Sequence, residues 1–227
     1  NMDTKLTGKT RIESDLIGAR EIPAEALYGV QTLRGIENFS ISKFRLSEYP
    51  LFIKGLAITK MAAAMANFEL GLLTVEQKDA IIAACGEILD GKHHDQFPVD
   101  MIQGGAGTTT NMNANEVIAN RALELMGHER GEYQYCSPND HVNCSQSTND
   151  AYPTAIHIGM YFKHLQLLPH LEELIASFRK KGEEFSQIIK MGRTQLEDAV
   201  PMTLGQTFNG FASILQAHHA FTYSSKA

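Results

Sequence analysis

Apolar residues recur at helical spacing through most of this chain, and the strict alternation of a half-buried strand is sparse. Residues 50–72 (PLFIKGLAITKMAAAMANFELGL) are rich in Ala, Met and Leu. Pro50 suits a first helical turn and Gly71 a stop. Thr74, Val75, Glu76 and Gln77 form a capping-box pattern, in which the Thr accepts from the third amide and the Gln reaches back. The helix that it opens is predicted to run to about Asp90, with Gly91 as punctuation. Along NMNANEVIANRALELMG, residues Met112, Val117, Ala119, Leu123, Leu125 and Met126 form an apolar stripe that ends at Gly127. From Asp150 to about Gly182 the pattern predicts a long helix, which Pro169 is expected to kink or split. Glu183–Lys190 reads as its continuation. Pro201 is expected to begin a last helix through Leu215. Residues 3–48 carry scattered Gly and Pro without a sustained period, and read as loops with short pieces of structure. Residues 128–149 read as a connection. Long helices joined by polar loops predict a mainly α architecture.

Composition narrows the function. The 227 residues are 43 % apolar and 20 % charged, which suits a globular chain rather than a disordered one. A net charge of -6 argues against a nucleic-acid or membrane-surface partner, which would want a basic face. No uninterrupted apolar run reaches the roughly 18 residues of a membrane span, and no signal peptide is evident. Three cysteines without CxxC spacing favour a reducing, cytoplasmic setting. Asn1-Met2 reads as an expression remnant ahead of a start Met.

Three polar segments carry the candidate chemistry: Gly104–Asn113 (GGAGTTTNMN), Ser145–Asp150 (SQSTND) and Gly192–Gln195 (GRTQ). Each is rich in Thr, Ser, Asn or Gln, and each sits at or just before a predicted helix. A helix N-terminus offers unpaired N–H groups and a partial positive charge. Hydroxyls and amides add donors without net charge. Such a set suits a small carboxylate, above all one that gains charge in a transition state. The same residue types are also ordinary caps and turn formers. The glycines match neither a Walker A pattern nor GxGxxG. His93-His94 and His218-His219 are adjacent pairs rather than the i, i+4 pair of a helical metal site, so no metal is expected. Cys144 reads as packing, since no cationic neighbour is evident to lower its pKa.

GAGTTTNMNANEVIANRALELMG, PNDHVNCSQSTNDAYPTA and MGRTQLEDAVPMTLGQTF together resemble the aspartase/fumarase superfamily, and within it the bacterial aspartate ammonia-lyases. Arg11–Asp15, Tyr28–Thr32 and Glu37–Phe39 resemble that family's N-terminal stretch. The likeness runs from about residue 11 to about residue 215. It implies an N-terminal mixed helical domain, residues 1–145, followed by the first helices of a long central helix bundle, residues 146–227. It implies a reversible anti-elimination of L-aspartate to fumarate and ammonia, through a carbanion held as an aci-carboxylate. No cofactor is implied. The partners implied are the small-molecule substrate and further copies of the chain, in a homotetramer.

Carried over by motif, Ser147 and Thr148 resemble the donors to the β-carboxylate and its developing oxyanion. Thr108 resembles a contact to the substrate amino or carboxylate group. Asn149, Thr194 and Gln195 resemble further substrate contacts. Many family members have His where this chain has Gln195. Ammonium leaves already protonated, whereas hydroxide benefits from a proton relay, so Gln195 favours aspartate over malate. The family's serine base lies in a loop of pattern GSSxMPxKxNP, which nothing in these residues matches. The chain is therefore expected to be a fragment that is inactive alone. The tail QAHHAFTYSSKA reads as departing from the family. A fumarase-type hydratase and a non-catalytic helical scaffold stand as alternatives.

Overall fold

The computed structural model describes residues 8–224, so Asn1-Met2 and the last three residues of the tail lie outside it. The chain forms two compact units, Asn1–Tyr161 and Phe162–Ala227. The fold is mainly α, as the pattern predicts.

The first unit opens with an antiparallel hairpin, β1 (Thr10–Asp15) and β2 (Gly18–Pro23). Its turn is tied by Asp15, whose Oδ1 accepts the N–H groups of Ile17 and Gly18. The sequence hides this hairpin because most of its residues are solvent-facing and the apolar alternation is faint. Arg11 then donates to the carbonyls of Pro23, Ala26 and Tyr28, fastening the hairpin to the approach of α1 (Val30–Asn38).

Helix α2 (Pro50–Glu69) begins with Pro50 at its first turn, and α3 (Val75–Leu89) begins with the Thr74–Gln77 capping box. Gly71 and Gly91 follow the two helices in the left-handed region, as their stop positions require. These helices pack on each other and on α4 (Thr108–Leu125), with Ile53, Leu56, Ile81, Ile88, Val117 and Ile118 in one continuous core. Helix α2 is the one described helix long and apolar enough to cross a membrane. Its core-facing side carries Lys60 and Asn67, both buried, as suits the core helix of a globular protein.

Helix α4 departs from the expected apolar stripe. Val117, Ala119 and Leu123 are buried, but so are Asn111, Asn113, Asn115, Glu116 and Asn120. The helix is enclosed nearly all round, so its polar residues bond to other segments. Glu116 caps α1, accepting the N–H groups of Gly29, Gln31 and Thr32 and the Thr32 hydroxyl. Asn120 donates to the Leu27 carbonyl, and Asn113 to the Gln96 carbonyl.

The connection 128–149 contains a single wide turn, Pro138–Val142, capped by the Ser137 hydroxyl. Helix α5 (Thr148–Glu184) follows and is continuous through Pro169, so the expected split does not occur. One missing N–H removes a single ladder bond from 37 residues, and the flanking turns keep the rest.

The second unit corrects the sequence reading most. The helix ends at Glu184 instead of continuing to Lys190, and Gly192–Gln195 is not a free loop. An antiparallel hairpin occupies this stretch: β3 (Ile189–Thr194) and β4 (Glu197–Thr203), with an irregular register between Met191 and Arg193. Pro201 lies in β4 opposite Met191. A two-stranded ribbon has free edges, and an edge position does not need the N–H that Pro lacks. The last helix, α6 (Leu204–Ser224), starts three residues later. Its signal is a second capping box, since Thr203 and Gln206 exchange side-chain and backbone bonds as Thr74 and Gln77 do. Phe178 and Phe185 of α5 pack on Phe208 of α6 with ring centroids 5.9 and 5.5 Å apart.

Gly55 sets how closely α2 approaches the first turns of α5. A Cβ there would collide with the Ala155 carbonyl oxygen. Gly55→Ala is expected to destabilise the protein by about 1–3 kcal/mol through overpacking. The check is a urea titration in which the midpoint falls and the slope stays unchanged.

Candidate active site

Two of the three polar segments meet in the first unit. The loop before α4 places Gly105, Ala106 and Gly107 in succession in the left-handed region. That coiling turns the Thr108 hydroxyl back to donate to the Gly105 carbonyl at 2.6 Å. Gln103 closes the loop by exchanging bonds with Thr110: its Oε1 accepts the Thr110 N–H at 2.8 Å and its Nε2 donates to the hydroxyl at 2.7 Å. Gly107 lies against the face of Tyr152, where any Cβ would enter the ring. The loop is thereby seated on the first turn of α5.

That first turn is capped by Ser147, whose hydroxyl accepts the Asn149 N–H at 3.2 Å and whose carbonyl accepts from Asp150 and Ala151. The Thr148 hydroxyl accepts from Asn111 Nδ2 at 3.2 Å, which leaves its own proton to donate. Ser147 and Asn149 are exposed, and Thr148 is half-buried. A cleft of about 600 Å³ opens here, lined by Gln103, Ala106, Gly107, Asn149 and Tyr152 among others. Of the substrate-contact residues carried over by motif, Asn149 lines this cleft, where it meets the Gln103 amide at the N-terminal end of α5. Amides at a helix N-terminus are donors that suit a small carboxylate.

Thr194 and Gln195 lie in the second unit, at the end of β3 and in the turn that follows. Both are exposed. Gln195 and Leu196 adopt φ of 50° and 69°. A two-residue hairpin turn needs such left-handed residues to match the twist of its strands.

Sequence reasoning passed over the residues beneath the Ser147 turn. Lys60 of α2 is fully buried, and its Nζ donates to Asn143 Oδ1 and Gln146 Oε1, both at 2.9 Å. Asn111 and Asn115 of α4 converge on the same Asn143 oxygen, at 3.1 and 3.2 Å. Gln146 returns its amide to the Val142 and Cys144 carbonyls, and Asn67 also donates to the Cys144 carbonyl. Ser145, at the outer corner of this turn, is left-handed. One signal was visible: a single lysine interrupts the apolar run AITKMAAAMA. Burial pulls the Lys60 ammonium down to about 7, and pushes the nearby Cys85 thiol up to about 12. Among the described residues, no group of three His, Cys, Asp or Glu could hold a metal ion.

The sequence profile of the lyase family matches residues 18–226. The chain belongs to this lyase family. The match runs through the tail that reads as foreign to it, so the departure expected after residue 215 is corrected. The chain is 60 % identical over 205 residues to an aspartate ammonia-lyase of Pseudomonas canavaninivorans, covering 90 % of this chain and 43 % of that one. It is 57 % identical over 212 residues to the aspartate ammonia-lyase of Escherichia coli strain K12, covering 93 % and 44 %. Among solved structures, a native fumarate lyase:delta crystallin of Brucella melitensis matches with a TM-score of 0.88 and 52 % identity, over 95 % of this chain and 50 % of that one. A class II fumarase of Schistosoma mansoni matches with a TM-score of 0.84 and 39 % identity, over 93 % and 44 %. The chain spans less than half the length of the curated relatives it matches.

The charge on Lys60 has a measurable consequence in this member of the lyase family. Its folded value of about 7 lies below the ordinary 10.5 of an unfolded lysine. Below about 7 both states hold the proton, and the cost of burying it is fully present. Between about 7 and 10.5 only the unfolded chain binds that proton, so stability rises with pH. Lys60→Met removes this contribution. The stability of the parent relative to Lys60→Met should climb across that window by up to about 1.4 kcal/mol per pH unit. Urea unfolding of both proteins at three pH values within it provides the check.

Proposed function

We propose that this chain carries the amino-terminal part of an aspartate ammonia-lyase, which eliminates ammonium from L-aspartate to give fumarate. The observation that carries the reading is the capped turn of α5, where Ser147 and Thr148 present hydroxyls beside the loop that holds Thr108. A base withdraws a proton from the carbon next to the β-carboxylate, and that carboxylate takes on a second negative charge. Donors held in place before the reaction stabilise this charge without reorganising. In this reading Ser147 and Thr148 serve the β-carboxylate, while Thr108 and Asn149 hold the rest of the substrate. Thr194 and Gln195 are read as further substrate contacts of the assembled enzyme. The reading calls for no organic cofactor. The serine base belongs to a motif that these residues do not contain, so the activity is proposed for the assembled enzyme.

We further infer a homotetramer in the cytoplasm. Leu167 and Leu174 of α5, and Phe211 and Ile214 of α6, are large apolar residues exposed on the second unit. Helix faces of that kind suit association with further copies.

The test is ultraviolet absorbance of fumarate after adding L-aspartate, with L-malate in parallel. The protein is assayed alone and together with the remaining part of an aspartate ammonia-lyase. Fumarate from aspartate and not from malate in the combined sample supports the reading. Fumarate from malate alone supports the hydratase alternative. No product from either substrate in the combined sample refutes both. In the active sample, Thr148→Ala should lower kcat on the order of 10²-fold. Unchanged kcat and KM would remove Thr148 from the oxyanion role.

A further inference from the structure

We infer that Lys60 is a positioning residue: its ammonium clamps the turn Asn143–Gln146 and so sets where the Ser147 and Thr148 hydroxyls point. This rests on the reading of that turn as the base of the substrate loop. Lys60 touches no part of the cleft itself. It acts from beneath, through two side chains that lead directly into the cap of α5.

The geometry assigns this role to Lys60 rather than to its neighbours. Asn143 Oδ1 receives three donors: Lys60, Asn111 and Asn115. Only Lys60 also holds Gln146, and it spans the turn by gripping both ends at 2.9 Å. The turn's own bonds are local: Asn143 Nδ2 to the Gln146 carbonyl, and Gln146 Nε2 to the Val142 and Cys144 carbonyls. These shape the turn but tie it to nothing outside itself. The clamp to α2 comes from Lys60, with Asn67 adding a bond to the Cys144 carbonyl.

The groups that face the amine are neutral. From the turn they are the side-chain carbonyls of Asn143 and Gln146. From α4 the amides of Asn111 and Asn115 meet it through Asn143. From α3 the facing group is the Cys85 thiol, which burial keeps protonated. Among the described residues, no carboxylate pairs with Lys60. Amide oxygens bind a charged ammonium more strongly than a neutral amine. The grip on the turn therefore weakens as Lys60 loses its proton, and the turn reports the protonation state of a residue that substrate does not touch.

The experiment is an NMR titration of the substrate-free protein, with carbon-13 at lysine Cε and nitrogen-15 at the amides. The Lys60 Cε signal should titrate near 7, about three units below ordinary lysines. The amide signals of residues 143–148 should move with the same midpoint. In Lys60→Met that movement should vanish, while any movement driven by His141, in the same connection, survives. Asn143→Asp places a carboxylate against the amine and keeps the acceptor. It should raise the Lys60 midpoint and the turn midpoint together, by about one unit or more. This second variant carries the test if Lys60→Met does not fold. The inference is overturned if the turn amides titrate unchanged in Lys60→Met, or if Asn143→Asp moves the lysine midpoint without the turn. No substrate is present, so a silent aspartate assay leaves this result unaffected.

Discussion

Burying α4 almost completely obliges every polar side chain on it to find a partner elsewhere in the chain. That requirement organises the first unit. Glu116 turns the start of α1 onto the helix, Asn120 fixes the segment at Leu27, and Asn113 fixes the segment at Gln96. Asn111 and Asn115 do the same for the turn before α5. An apolar helix in the same place would hold these segments by shape alone, and many packings would serve. A helix with six buried polar residues admits far fewer, because each misplacement leaves a buried group unpaired.

Glu116 shows how the balance is struck. Burial pushes its carboxyl up to about 6, while the donors at the start of α1 pull against that shift. The partial positive charge of a helix N-terminus is turned inward at this point and spent on structure. At α5 the corresponding helix end opens into a cleft, and its cap is the exposed Ser147. One feature of helix physics thus serves fold in one place and chemistry in the other. The difference lies in whether the side chain that meets it is buried.

Lys60 follows from the same constraint. A fully buried ammonium costs more than a buried amide, and its burial holds it near neutrality in its proton affinity. The fold carries that cost where the side-chain oxygens of Asn143 and Gln146 converge below the Ser147 turn. Gly55, five residues earlier on α2, lets the backbone of α5 approach closely at Ala155. The polar network holds the turn before α5, and the close helix packing holds the first turns of α5 itself. Together they place the first turn of α5 against the loop at Thr108.

Much of this protein was legible in its residues. Pro50, the Thr74–Gln77 box, Gly91 and Gly127 marked helix ends through local backbone chemistry, which does not depend on the rest of the chain. The motifs around Thr108 and Thr148 pointed to donor-rich loops at helix starts, since those residue types satisfy the free N–H groups there. The hairpin of β3 and β4 escaped, although Thr203 and Gln206 repeated the same capping signal. Its strands face solvent and show little alternation, so the pattern carried no strand period. The roles of Asn111, Asn143, Gln146 and Lys60 escaped for a different reason. A buried asparagine and an exposed one look alike in a sequence, and the partner that separates them lies up to 86 positions away. Local propensity and capping were fixed by the sequence itself. Which polar groups are enclosed, and which neighbour each must then satisfy, was decided only when the helices packed and excluded water.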